Sequence, residues 1–143
     1  MSTEQHQFHV GQRLTMPGRI ISQEHINQYA KVSGDMNPLH IDSEYARQTR
    51  FDGTIAHGLM SVAFISDLMT RSFGCAWSSS GEMEVLFIGP VRPGDTITTE
   101  AVLVAMDETT GRLELKLNCK NQLGKSVIAG SASVRAEKHQ RRK

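Results

Sequence analysis

The sequence predicts an α+β domain in which an antiparallel sheet wraps around one central, buried helix. Two observations carry that expectation. Between Gly58 and Phe73, the residues Leu59, Met60, Val62, Ala63, Phe64, Ile65, Leu68 and Met69 occupy almost the whole circumference of a helix, and a helix apolar nearly all round is a buried one. From Glu82 onward the apolar period falls to two, with Gly, Pro and Asn between the runs, which marks an antiparallel meander. A sheet that covers the helix buries the apolar faces of both.

The elements follow in order. Residues 1–7 are polar and read as a mobile tail, as does the charged end, 137–143. Phe8 to Leu14 leads into an extended segment, and Arg19-Ile20-Ile21 is a second short extended piece. Ser22 is a good N-cap for a helix running to about Val32, with Ser33-Gly34 as its stop. Asp42 caps a short helix from Ser43 to about Gln48, and Asp52-Gly53 marks a turn. The central helix, Gly58 to Phe73, ends at Gly74, with Asp67 and Arg71 four apart on its exposed seam. A Ser-rich loop, Ser78 to Gly81, leads to strands at Glu82–Ile88, Thr96–Met106, Arg112–Lys120 and Lys125–Ala136. In the third of these, Leu113, Leu115, Leu117 and Cys119 alternate with charged and polar residues, so one face is buried.

At 143 residues the chain is the size of one domain spanning 1–143, long enough for a real core. Apolar residues at 38% and charged residues at 22% fit a globular protein. The net charge of +1 gives no reason to expect nucleic acid or an anionic membrane as partner. No run is long enough to span a bilayer, and the first residues lack the apolar stretch of a secretory signal, which leaves the cytoplasm as the expected location. Cys75 and Cys119 are too few for a disulfide framework and lack metal-site spacing; both are expected as buried free thiols.

The chemistry concentrates between Ser33 and Gly58. Asp35 and His40 lie five positions apart, about 140° from each other on a helix. Pro38 between them disfavours a helix and pushes Asn37 out of the α region. Gly34, Asn37 and Pro38 instead suggest a tight loop that turns both side chains toward one point. Ala56-His57-Gly58 then opens the central helix, whose first N–H groups suit a developing negative charge.

This stretch resembles the MaoC-like dehydratases, the family of (R)-specific enoyl-CoA hydratases. The resemblance rests on Tyr29-Ala30, Ser33-Gly34-Asp35, Asn37-Pro38, His40, Asp42, Ala46, Phe51 and Ile55-Ala56-His57-Gly58, and later on Phe87 with Pro90-Val91-Arg92-Pro93-Gly94-Asp95. It implies a hot-dog fold and a homodimer, or a dimer of dimers, with active sites near the subunit interface. The open edges of a short meander favour the same assembly. It further implies reversible hydration of trans-2-enoyl thioesters to (3R)-3-hydroxyacyl thioesters, with acyl-CoA as substrate and no cofactor or metal.

Within that resemblance Asp35 and His40 are the catalytic pair, since a carboxylate and an imidazole sharing one water can act as base and acid. Gly58 offers its backbone N–H to the enolate oxygen, with no Cβ to obstruct approach. Asn37 supports the loop, Ser66 corresponds to a central-helix serine that approaches the acid, and His57 contacts substrate or shapes the turn. Arg47, Arg50, Arg92 and Lys125 are available to CoA phosphates, but none is singled out.

Three rival functions share this sequence. An acyl-carrier-protein dehydratase would use the same residues. A thioesterase would leave Asn37-Pro38 and His40 unexplained, and a non-catalytic acyl-thioester-binding subunit would not need both Asp35 and His40. His40-Ile41-Asp42 with His57 also imitates a two-histidine, one-carboxylate iron site. Asp42 is better explained as a helix cap.

Overall fold

The computed structural model describes residues 8–136; the expected tails, 1–7 and 137–143, lie outside the described residues. In chain order the elements are β1 (Arg13–Ile20), α1 (Gln23–Ser33), α2 (Pro38–Ile41), α3 (Ser43–Arg47), α4 (Gly58–Phe73), α5 (Cys75–Ser80), β2 (Glu82–Phe87), β3 (Thr96–Asp107), β4 (Arg112–Lys120) and β5 (Ser126–Arg135). The five strands form one sheet in the order β1-β3-β4-β5-β2, with every neighbouring pair antiparallel. Helix α4 packs on β1, β3 and β4, giving the expected hot-dog architecture.

The strand pattern becomes packing directly. Leu113, Leu115, Leu117 and Cys119 of β4 are buried, as are Ile97, Ala101 and Leu103 of β3 and Val127, Ile128, Ala132 and Val134 of β5. They form one core with Met60, Ile65, Leu68 and Met69 of α4. The two extended pieces expected near the N-terminus are a single edge strand, β1, with an irregularity between Met16 and Arg19. Pro17 falls there, where a missing N–H does not interrupt the ladder. Gly18 is required by a close approach, because a Cβ would lie 2.6 Å from Thr96 Cγ2.

Four expectations need correction. Helix α4 is not buried all round: the sheet covers one face, and Leu59 remains 57% exposed. The Ser-rich segment is helical (α5), because Ser79 and Ser80 return their hydroxyls to the carbonyls of Cys75 and Ala76 at 3.0 and 2.7 Å. Partly buried Trp77 also anchors that helix to the core. Cys119 is buried, and its thiol pKa is pushed up by that burial, but Cys75 is exposed where α5 starts at the surface. Finally, the Asp35–His40 connection contains one helical turn, α2. Pro38 sits at its first position, where no N–H is needed and the fixed φ suits the helix. No helix of the described residues is long and apolar enough to cross a membrane.

Candidate active site

The site is assembled by three caps in succession. Ser22 begins α1 with a capping box, its hydroxyl accepting from the His25 N–H at 3.1 Å while His25 Nδ1 accepts from the Ser22 N–H at 3.1 Å. Gly34 ends α1 in the left-handed region (φ 80°) and donates its N–H to Ala30 O. A residue with a Cβ would be strained at that φ. The chain thereby turns sharply into Asp35, whose N–H donates to Ser33 Oγ at 3.1 Å. Asp35 Oδ1 in turn accepts the Asn37 N–H at 3.3 Å. Asn37 caps α2 through its side-chain oxygen, which accepts the Leu39 N–H at 3.1 Å. Asn37 therefore braces the turn between the two expected catalytic residues.

His40 sits on α2, half-buried, with Nδ1 2.8 Å from the carbonyl of Ile55. A carbonyl only accepts, so Nδ1 carries the proton and Nε2 of the neutral ring presents a lone pair. The Ile55 N–H reaches back to Leu39 O at 3.3 Å, so α2 and the strand-like entry to α4 hold each other.

His57 is 3% exposed. Its Nε2 donates to the carbonyl of Asp35 at 3.0 Å, and its ring lies on the His40 ring with centroids 3.9 Å apart. Tyr29 of α1 packs against it from another side, centroids 4.7 Å apart. His57 does not line the cavity described below; it fixes the backbone of Asp35 and the plane of His40, and so acts as a positioning residue. A carboxylate oxygen of Asp35 and one ring nitrogen each of His40 and His57 all lie within 4.8 Å of one another. One water oxygen at about 2.8 Å from two of these atoms bridges such a gap.

The same three groups invite comparison with a metal triad. The His40 and His57 rings are face to face, only 30° from parallel. One nitrogen of each ring is already engaged by a backbone carbonyl, His40 Nδ1 by Ile55 and His57 Nε2 by Asp35. Asp42, the carboxylate of the iron-site pattern, is occupied as the cap of α3, accepting the Glu44 and Tyr45 N–H groups at 3.1 Å each.

A cavity of about 250 Å³ reaches His40 but not Asp35, and is lined by His40, Arg50, Gly58, Ser61 and Phe87 together with apolar side chains that include those after β2 and at the start of β5. Gly58 is the first residue of α4, and among the described residues its N–H has no hydrogen-bond partner. A Cβ at Gly58 would run into the Phe87 ring, so any other residue here obliges that ring to turn aside. Ser66 lies two turns further along α4, outside this lining, and accepts a hydrogen bond from Trp77 Nε1 at 3.3 Å.

Phe87 and Ser61 are among the residues of the cavity wall to which the sequence assigns no role. Phe87 appeared only as part of a resemblance. Ser61 is a buried hydroxyl in the apolar run of α4, and its one sequence signal is a polar residue on a face otherwise built for the core.

Comparison with known proteins gives a consistent picture. The family model described as "MaoC like domain" matches residues 5–121. An (R)-specific enoyl-CoA hydratase of Rhodospirillum rubrum is 32% identical over 116 residues, covering 81% of this chain and 80% of the relative. A mitochondrial 3-hydroxyacyl-acyl-carrier-protein dehydratase of Arabidopsis thaliana is 33% identical over 119 residues, covering 81% of this chain and 70% of the relative. Among solved structures, the unliganded R-hydratase PhaJ1 of Pseudomonas aeruginosa superposes with a TM-score of 0.79 at 30% identity, covering 92% of this chain and 84% of that one.

Proposed function

Because the chain belongs to the MaoC-like dehydratase family, we propose that it is an (R)-specific enoyl-CoA hydratase, interconverting trans-2-enoyl-CoA and (3R)-3-hydroxyacyl-CoA. The observation that carries this reading is the Asp35 carboxylate within 4.8 Å of a His40 ring nitrogen, beside a cavity that contains the unpaired Gly58 N–H.

The geometry suits the chemistry as follows. A water held between Asp35 and His40 gives up a proton to the pair as its oxygen bonds to C3 of the enoyl group. The C2=C3 electron pair shifts to form C1=C2, and the C1=O pair moves onto the thioester oxygen. The Gly58 N–H, at the positive end of α4, stabilises that charge. Collapse of the enolate takes a proton from the pair at C2, so the pair ends as it began. No metal or cofactor enters these steps.

CoA is the first candidate carrier, and acyl carrier protein the second, favoured by the Arabidopsis relative named for it. The active unit of this reading is a cytoplasmic homodimer or dimer of dimers. Edge strand β2 and the residue after it expose Leu86, Phe87 and Ile88 at 69%, 59% and 56%. A second copy covering this face removes both a sheet edge and an apolar patch from water.

The test is ultraviolet absorbance of crotonyl-CoA mixed with the protein, with a thiol reagent in parallel. Hydration bleaches the conjugated enoyl band without releasing thiol. Thiol release marks a thioesterase, and no change in either channel marks a binding subunit; both outcomes overturn the hydratase reading.

A further inference from the structure

Serines inside helices ordinarily return their hydroxyl to the carbonyl four residues earlier. This chain shows the habit repeatedly: Ser33 donates to Tyr29 O at 2.7 Å, Ser72 to Leu68 O at 2.8 Å and Ser80 to Ala76 O at 2.7 Å. Ser61 departs from it. It is 1% exposed, and its Oγ has no partner among the described residues. A buried hydroxyl without a partner is costly, and this one lines the same cavity as His40 and Gly58.

Its position on α4 says what it faces. Ser61 follows Gly58 by three residues, so the two share a face one turn apart. Helical side chains lean toward the N-terminus and cover the turn before their own Cα. The Ser61 hydroxyl therefore overlies the turn that begins at Gly58, where the unpaired N–H is. An enolate oxygen carries more lone pairs than one amide satisfies.

We propose that the Ser61 hydroxyl is a second donor to the thioester oxygen, acting beside the Gly58 N–H. This deepens the hydratase reading and rests on it. Ser61 donates a hydrogen bond throughout and transfers no proton; its O–H bond stays intact. Before substrate enters, the hydroxyl is buried and unpaired, so the protein carries its cost in advance and recovers it only with a ligand oxygen in place.

The experiment compares wild type with Ser61→Ala and Ser61→Cys, the latter nearly isosteric with only a weak S–H donor. Crotonyl-CoA turnover is measured with melting temperature. The infrared carbonyl band of bound butyryl-CoA, ¹³C-labelled at the thioester carbon and unable to be hydrated, is recorded alongside. Both variants are expected to lose about 10²-fold in kcat/KM, the usual effect of removing one oxyanion donor. The melting temperature should be unchanged or raised, because an unpaired buried hydroxyl has been removed. The carbonyl band, shifted down on binding to wild type, should recover part of the way to its free position in both variants. An active wild type whose variants keep their kcat/KM, or keep the full carbonyl shift, overturns the role of Ser61 alone. A wild type that leaves crotonyl-CoA unchanged overturns the hydratase reading and this proposal with it.

Discussion

The two ends of α4 are built on opposite terms. At the last turns the chain pairs several of its own groups. The Gly74 N–H closes on Thr70 O at 2.7 Å, and Ser72 bonds Leu68 O at 2.8 Å. Asp67 receives Arg71 at 2.9 Å and also Arg19, whose guanidinium lies 5.0 Å over the Phe64 ring. At the first turn the bonding is left incomplete. Among the described residues, His57 provides no side-chain cap, the Gly58 N–H is unpaired, and both His57 Nδ1 and Ser61 Oγ are buried without partners. Incomplete hydrogen bonding inside a protein costs stability, so a turn that retains it is prepared for something outside the chain. Lesions at the first turn should therefore remove activity and spare stability, and lesions at the last turn should do the reverse.

The largest effect is expected beside the first turn. Asp35→Asn and His40→Gln should each lower kcat by at least about 10²-fold, within the usual range for a positioned acid or base. Asp35 is exposed and His40 only half-buried, so thermal unfolding should barely move. In the proposed mechanism one water serves both groups, so the double variant should be little worse than the worse single one. Near-wild-type turnover in either single variant, measured with crotonyl-CoA, would remove that residue from the chemistry.

A finer division separates the amide of Gly58 from its packing. Gly58→Ala adds a methyl that meets the Phe87 ring, a side-chain contact that rotation of Phe87 can relieve. Ala is a good helix former, so the variant should fold. Its kcat/KM should fall by about 10²-fold as the methyl crowds the thioester oxygen. Adding Phe87→Ala relieves the collision without relieving the crowding, so the double variant should stay as impaired relative to Phe87→Ala alone. Full recovery in the double variant would make Gly58 a packing glycine and move the oxyanion donor elsewhere.

How far the sequence revealed this arrangement depends on how local each cause is. Strand β4 was legible residue by residue because Leu113 to Cys119 alternate with a period of two and one face must be buried. Helix α4 was legible in its bounds, Gly58 to Phe73, but not in its exposure, since a sheet reaches only one side of it. Pro38 misled because its cost inside a helix disappears at the first helical position. The proximity of Asp35 and His40 agreed with the expected tight connection, whereas the clamp on them was not visible. It depends on the ring of His57 reaching the carbonyl of Asp35, 22 positions away, and stacking on His40. Ser66 and Ser61 show the same limit. Both are serines on one apolar helix, and only the fold shows that Trp77 engages the first while the second faces the cavity.

The smallest effect belongs to the last turn, and its pH dependence has a definite sign. The side-chain hydrogen bond from Arg71, and after it that from Arg19, hold the Asp67 carboxyl below its ordinary value of 3.8. A carboxylate whose pKa is depressed by folding contributes stability above its unfolded pKa and loses that contribution as the pH falls through the folded value. Asp67→Asn should therefore lower the melting temperature slightly at neutral pH. The gap between variant and wild type should close as the solution is acidified below the ordinary carboxylate range. The Asp67 side chain remains 30% exposed, so solvent screens the pair and the shift should shrink further in high salt. Turnover of crotonyl-CoA at neutral pH should be unchanged, because Asp67 lies more than two turns of α4 from Gly58 and does not line the cavity. A fall in kcat/KM for Asp67→Asn, with the melting temperature intact, would mean that the two ends of the helix are not separable and that the ion pairs at one end set the geometry of the other.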